Sequence, residues 1–174
     1  MKEKEMEKEK KELLTVIKKI EDLHSSASLK NKALCLDIGD KRIGMAVSDD
    51  LRLTAQSKGV IERKNIKSDL SEILNVIKTS QVGELVIGIP YNMNGSLGSQ
   101  AKKVFDFIDK LKSKIDIPVY QWDERLSSSA VEKVLIKARV RRQKRKKIID
   151  KMAAQYILQG YLDYKKIKDR ESEL

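Results

Sequence analysis

Apolar and polar positions alternate along this chain in stretches that predict strands and helices. The first stretch, Ala33 to Asp49, contains two apolar runs around a Gly-Asp-Lys-Arg turn and predicts a β-hairpin. The run ELVIGI at Glu84–Ile89 is almost continuously apolar, which is typical of a central strand covered on both faces. Two further strands are predicted at Lys58–Arg63 and Pro118–Trp122.

Apolar residues at helical spacing predict the helices. The helix that starts at Ile66 ends near Thr79, and a second covers Gln100–Lys112, with Ala101, Val104, Phe105, Ile108 and Leu111 facing the core. Others are expected over Met1–Asp22, from about Leu126, and from about Ile148.

This order predicts an α/β fold, in which a mixed five-stranded sheet has helices on both faces. Strands 1 to 3 are expected to be antiparallel, whereas right-handed crossovers make strands 1, 4 and 5 parallel neighbours. The predicted domains are a charged helical extension and linker (1–32), the α/β domain (33–164) and a C-terminal tail (165–174).

Three strand or helix positions carry acids in apolar surroundings. Asp37 interrupts the first strand, Asp123 and Glu124 follow the last strand, and Asp150 lies in the last helix. Each has an ordinary interpretation: Asp37 bonds the turn amides, and Asp150 pairs with nearby Lys or Arg. However, the carboxyl ends of parallel strands share one sheet edge, where such acids meet. Clustered carboxylates are tolerated when a hard divalent cation fills them, which predicts Mg²⁺ or Mn²⁺.

The net charge of +11 is concentrated in one segment. Residues 137–151 hold nine Lys or Arg and one acid, whereas residues 1–32 contribute only +2. Such a patch predicts a polyanion partner, and nucleic acid is preferred over a membrane surface or a merely solvated loop. Beside a carboxylate site, the expected chemistry is metal-assisted phosphodiester hydrolysis. The candidate phosphate-binding residues are Arg42, Arg125, Arg141, Arg142, Lys144, Arg145, Lys146 and Lys147.

Other chemistries have little support. Cys35 is the single cysteine and His24 the single histidine, so a disulfide, a His-based zinc site and a Ser-His-Asp triad are not expected. No apolar run approaches the length of a membrane span, and a cytoplasmic location is expected. The loop YNMNGSLGS follows the buried fourth strand, where α/β sheets bind ligands. Tyr91, Met93 and Trp122 are candidates for stacking on a base, although Trp122 is expected in the core.

Five stretches, in order, resemble the YqgF/RuvX family, which is described as Holliday junction resolvases or ribosomal RNA maturation nucleases with an RNase H-like fold. The stretches are LDIGDKRIGMAVSD, the Thr-Ala of Leu53–Gln56, ELVIGIPYNMNGSLGSQA, PVYQWDERLSS and IIDKMAAQYILQGYLD. The resemblance implies catalytic acids at Asp37, Asp123 and Asp150, with Glu124 as a reserve metal ligand. It also implies processing of precursor small-subunit ribosomal RNA. Where the family's loop has Met-Asp-Gly, this chain has Met93-Asn94-Gly95.

Three functions remain open at this level. The first is a Mg²⁺- or Mn²⁺-dependent endonuclease acting on structured RNA in pre-ribosomal particles, or on DNA junctions; resolution of a junction would require a homodimer rather than a monomer. The second is an RNA-binding assembly factor whose acids are vestigial. The third, a nucleotide-hydrolysing domain related to actin-like ATPases, ranks lowest because that architecture repeats the fold twice.

Overall fold

The computed structural model describes residues 32–126 and 141–172, with the backbone alone for residues 142–151. The predicted helix over Met1–Asp22 lies outside the described residues. So does the helix expected from Leu126, apart from a helical turn at residues 124–126. The elements are β1 (Lys32–Ile38), β2 (Arg42–Ser48), β3 (Ala55–Glu62), α1 (Ile66–Thr79), β4 (Val82–Ile89), α2 (Ser99–Lys112), β5 (Val119–Asp123) and α3 (Arg142–Ser172).

The five strands form one mixed sheet in the order β3-β2-β1-β4-β5. The β1–β2 and β2–β3 pairs are antiparallel, and β1–β4 and β4–β5 are parallel. The predicted fold class and strand directions are therefore confirmed. The parallel strands β1, β4 and β5 end at the same edge of the sheet, and β2 begins there.

Strand alternation gives the sheet two apolar faces. Leu34, Leu36 and Ile87 belong to the face whose core includes Ile73 of α1 and Val104 of α2. On the other face, Cys35 and Val86 pack in a cluster with Leu158 and other residues of α3. We call these the α1/α2 face and the α3 face. They place helices on both sides of the sheet, as predicted.

The edge strand β3 was predicted to start at Lys58 but starts at Ala55. After the buried Ala55, residues 56–60 are all exposed, so no apolar alternation marks them, and the ladder with β2 is interrupted between Met45 and Ala46. Two α3 glutamines fix the start of the strand: Gln155 Nε2 donates to the Ala55 carbonyl at 2.9 Å, and the Ala55 amide donates to Gln159 Oε1 at 2.9 Å.

The last helix begins earlier than predicted, at Arg142 rather than Ile148. Arg, Lys and Gln are good helix formers, and nothing between 142 and 148 breaks a helix, although the segment shows no apolar period. Consequently the basic segment is the first part of α3, not a connection before it. The helix continues to Ser172, past the predicted domain boundary at residue 164. In α2, four of the predicted core residues are buried, the fifth, Phe105, is half-buried and packs against the same core, and Phe107 is buried in addition.

Among the described residues, no helix is both long enough and apolar enough to cross a bilayer.

Candidate metal and nucleic-acid site

Asp37 lies on the α3 face, near the carboxyl end of β1. It is paired in the ladder with Gly44 of β2. A Cβ atom added at Gly44 would lie 3.6 Å from Asp37 Cβ, 3.8 Å from Asp37 Oδ2 and 3.5 Å from Ala154 Cβ. The missing side chain at position 44 therefore leaves room between Asp37 and α3.

Glu124 lies on the same face, over the end of β4. A Cβ atom added at Gly88 would come within 2.8 Å of Glu124 Oε1 and 2.8 Å of Ile157 Cδ1 of α3. Only a glycine at position 88 permits this carboxylate position without a shift. Burial, followed by the charges of Asp37 and then Asp123, raises the pKa of Glu124 to about 7.

The electrostatics of Cys35 show that the two acids share this face. The thiol is fully buried in β1, two residues before Asp37. Its pKa is raised well above the ordinary value, first by burial and then by the charges of Asp37 and Glu124. Cys35 is therefore a core residue, as predicted, beneath a pair of carboxylates.

Asp123 lies on the opposite side of the strand from its neighbours Trp122 and Glu124. Val119, four residues before Asp123 and therefore on the same side of β5, packs on the α1/α2 face, whereas Trp122 packs on the α3 face. The Asp123 carboxylate is held by Arg125, whose Nη2 is 2.6 Å from Oδ2 and whose Nε is 3.0 Å from both oxygens. These hydrogen bonds hold the pKa of Asp123 below its usual range.

Asp150 is known only by its backbone, in α3. It comes four residues before Ala154, whose side chain lies near Gly44 and Asp37 in space. Residues four apart lie on the same side of a helix, one turn from each other. Its ligand role stays a prediction.

Among the side chains that the structure describes, no three His, Cys, Asp or Glu groups are close enough to hold a metal ion. Two of the four predicted ligands, Asp37 and Glu124, come together on one face. Both supply carboxylate oxygens, which are the donors that Mg²⁺ and Mn²⁺ prefer. The raised pKa of Glu124, to which the charge of Asp37 contributes, fits a cation between the two acids, because a positive charge offsets their repulsion.

A cleft of about 490 Å³ adjoins Asp37 on the β2–β3 side. Its lining includes Arg42 of β2, Ser57 and Val60 of β3, and Gln155 of α3. Arg42 is exposed and pairs with Glu62 at 2.7 Å, which leaves its guanidinium at the rim of the cleft. This predicted phosphate-binding residue therefore lies beside the acid pair.

The other predicted phosphate-binding residues divide into two groups. Arg125 is committed to Asp123 and to the loop after β4, where its Nη1 is 3.3 Å from the Asn92 carbonyl oxygen. Arg141 is exposed immediately before α3. The side chains of Arg142, Lys144, Arg145, Lys146 and Lys147 lie outside the described part, and their backbone forms the first turns of α3.

The glycines Gly44 and Gly88 are part of the site and were not singled out from the sequence. A signal existed, since a glycine inside a strand often marks a close approach of another group. Both interrupt apolar strands, at IGMAV and VIGIP, and both lie beneath the acid pair.

Comparison with known proteins identifies the family. A profile of the family described as "RuvX: Holliday junction resolvase" matches residues 31–164. The chain belongs to the RuvX family. A RuvX relative from Desulforamulus reducens, named "Putative pre-16S rRNA nuclease", is 56% identical over 128 residues, which cover 74% of this chain and 93% of that protein. A relative of the same name from Clostridioides difficile is 51% identical over 79% of this chain and 97% of its own length.

A solved structure supports the RNase H-like architecture of this RuvX chain. The Thermus thermophilus RuvC structure in complex with a Holliday junction substrate aligns with a TM-score of 0.56 at 13% identity, over 79% of this chain and 96% of that chain. At this identity the similarity establishes the fold alone.

Proposed function

We propose that this chain is a metal-dependent endonuclease that hydrolyses phosphodiester bonds in structured RNA, at the 5′ end of precursor small-subunit ribosomal RNA. The observation that carries the proposal is the pairing of Asp37 and Glu124 over Gly44 and Gly88, where β1 and β4 end beside an open cleft. The RuvX relatives named as nucleases of this RNA suggest the substrate.

Asp37, Glu124 and Asp150 are the residues that would hold the divalent ions. When bound, such ions activate a water molecule and stabilise the leaving oxygen of the phosphodiester. Asp123, which the sequence suggested as a ligand of equal rank, is neutralised by Arg125 at 2.6 Å and would join the set only if that pair opened. We therefore assign Glu124 ahead of Asp123.

The basic residues supply affinity rather than chemistry. Arg141, the basic segment at the start of α3 and Arg42, which lines the cleft with Asp37, would neutralise phosphates of the substrate. Each neutralised phosphate steepens the salt dependence of binding, since counterions are released. Binding should thus weaken strongly between about 50 and 200 mM salt.

Holliday junction resolution is the second candidate, and the description of the matched family favours it. Two symmetric cuts require two active sites, so this activity would require a homodimer. An assembly factor that binds RNA without cutting it is the alternative from a different class.

The proposal is tested with a precursor ribosomal RNA fragment and a four-way DNA junction, each incubated with Mg²⁺, Mn²⁺ or EDTA. Wild type should cut the RNA only with a metal ion, and Asp37→Asn and Glu124→Gln should lose at least about a hundredfold in rate, since each removes a charged ligand. Asp106→Asn, which changes an exposed acid of α2, should cut like wild type. Cutting of the junction instead would support the resolvase. Equal binding by all proteins without any cutting would overturn the nuclease and leave the assembly factor.

A further inference from the structure

The loop that follows β4 closes into a small hairpin with Met93 at its tip. Tyr91 and Leu97 form an isolated antiparallel bridge. Inside it, the Asn92 amide donates to the Ser96 carbonyl at 2.9 Å, and the Gly95 amide donates to the Asn92 carbonyl at 2.8 Å. Gly95 has a φ of 83°, a conformation that favours glycine. This backbone is a defined turn rather than an open connection.

Polar side chains stiffen the hairpin further. Asn92 Nδ2 donates to Ser96 Oγ at 2.9 Å, and Ser96 Oγ donates to Asn94 Oδ1 at 2.7 Å. From the end of β5, Arg125 Nη1 lies 3.3 Å from the Asn92 carbonyl oxygen and 3.4 Å from that of Met93. The tip is therefore held in one conformation before any partner binds.

Of the three side chains that the sequence suggested for base stacking, two are occupied. The Tyr91 ring lies under the Arg125 guanidinium, with 5.6 Å from Cζ to the ring centroid. Trp122 packs edge-on against Tyr161 at 5.9 Å, inside the α3 face. Met93, in contrast, is 92% exposed.

The hairpin lies at the same edge of the sheet as the candidate metal site, because it directly follows the end of β4 and is held by Arg125, which follows the end of β5. Arg125 binds both the loop carbonyls and the Asp123 carboxylate, and Asp123 is covalently next to Glu124. The Met93 backbone is thus one arginine side chain away from the acid that ends β5. The tip and the acid pair thus both lie at the edge of the sheet where β4 and β5 end.

We propose that Met93 contacts a nucleobase that is unstacked from its helix next to the cleaved phosphodiester, which makes the tip a reader of irregular structure in the substrate. This rests on the proposed nuclease function. A polarisable thioether makes favourable contacts with aromatic rings, and apolar side chains such as Met act as wedges between stacked bases. Because the loop is already ordered, little conformational entropy is lost on contact. The basic segment at residues 137–151, which carries most of the charge of +11, favours a nucleic acid as the partner of the chain.

The test uses RNA hairpins with one bulged nucleotide and fully paired hairpins of the same sequence, with DNA versions of both. Affinity is measured in the full chain carrying Glu124→Gln, so that no substrate is cut. Adding Met93→Ala should weaken binding of the bulged hairpins about fivefold to tenfold and of the paired ones less than about twofold, since only the bulge offers a free base. Adding Met93→Phe should restore the selectivity, because a ring also stacks. If Met93→Ala weakens binding of the bulged RNA alone, the tip recognises RNA; if it weakens binding of both bulged hairpins, the tip recognises an unstacked base in RNA or DNA.

The matched control is Leu51→Ala, which truncates a side chain that is 65% exposed at the opposite edge of the sheet. It should change no affinity, and all variants should keep the melting temperature of the Glu124→Gln parent. Equal affinities of the Met93→Ala protein and its parent for every hairpin would overturn the inference and leave the tip to a protein partner. Equal losses on bulged and paired hairpins would overturn it as well.

The outcome is separable from that of the nuclease proposal. If wild type cuts RNA with metal and Met93→Ala shows no selective loss, the base contact fails alone. If Met93→Ala binds selectively worse and wild type cuts nothing, the nuclease fails, and the reading of an unstacked base stands as RNA recognition.

Discussion

Replacement of Glu124 by Gln should stabilise the protein at alkaline pH while it abolishes metal-dependent activity. The carboxyl group ionises near 4.5 in the unfolded chain and near 7 in the folded protein, because burial and the charges of Asp37 and Asp123 oppose its ionisation. Between these values the folded state holds a proton that the unfolded state has lost. The unfolding free energy of wild type therefore falls as the pH rises from about 4.5 to about 7 and is flat above that window.

The shift sets an upper limit to this loss. At about 1.4 kcal/mol per pKa unit, a change from 4.5 to about 7 corresponds to about 3 kcal/mol. Gln has nearly the same shape and no charge, so the variant should lack this slope. Relative to wild type, it should gain up to about 3 kcal/mol between pH 4 and pH 8.

The assay is urea unfolding of both proteins in EDTA at half-unit steps from pH 4 to pH 8.5. Glu72→Gln, which makes the same change at an exposed site of α1, should follow the wild-type curve. Mn²⁺ at pH 8 should raise the melting temperature of wild type and leave that of Glu124→Gln unchanged. Parallel pH curves for wild type and Glu124→Gln would refute the placement of a crowded carboxylate here, and an equal response to Mn²⁺ would refute its role as a ligand.

Further predictions concern the surroundings of the site and the anchoring of α3. Gly88→Ala should lower the rate of metal-dependent cleavage at least about tenfold, because its Cβ would lie 2.8 Å from Glu124 Oε1. Gly44→Ala, whose added Cβ would make contacts of 3.5 Å or longer, should keep the wild-type stability within about 1 kcal/mol in thermal melts. Glu84 is a buried acid whose carboxylate lies 3.1 Å from Arg52 and 2.7 Å from Lys165. Glu84→Gln should lower the unfolding free energy by about 3 kcal/mol, because two cations lose their partner. In the same urea titration, Glu72→Gln should change the unfolding free energy by less than about 0.5 kcal/mol. Cys35, buried and with a raised thiol pKa, should react with a thiol reagent only as fast as the protein unfolds, and fast labelling in native buffer would contradict its burial.

The strands that hold the site could be predicted because burial on both faces leaves a strong signal. The runs around Leu36 and Ile87 are almost wholly apolar, and both are fully buried. The start of β3 gave no such signal, since Gln56, Ser57 and Lys58 are exposed on an edge strand. What fixes them is tertiary: the ladder to β2 and the two α3 glutamines, one hundred or more residues away in the sequence.

The start of α3 was misplaced for a related reason. A hydrophobic period detects a helix only where the helix packs against something, and among the described side chains of α3 the first that packs in the core is Ala154. Its charge density indicated a connection, although Arg and Lys favour helices when their charges are solvated or matched by a partner.

The choice between Asp123 and Glu124 was beyond sequence reasoning because it depends on one residue of strand register. Neighbouring residues at the end of a strand point to opposite faces, so the two acids are interchangeable until the pairing of β5 with β4 is known. The register of Gly88 with Trp122 and of Ile89 with Asp123 decides it. Glu124 then falls over Gly88 next to Asp37, and Asp123 falls to the side where Arg125 joins it to the Met93 loop. On this placement Glu124 belongs to the candidate metal site, and Asp123, the last residue of β5, holds the loop beside that site through Arg125.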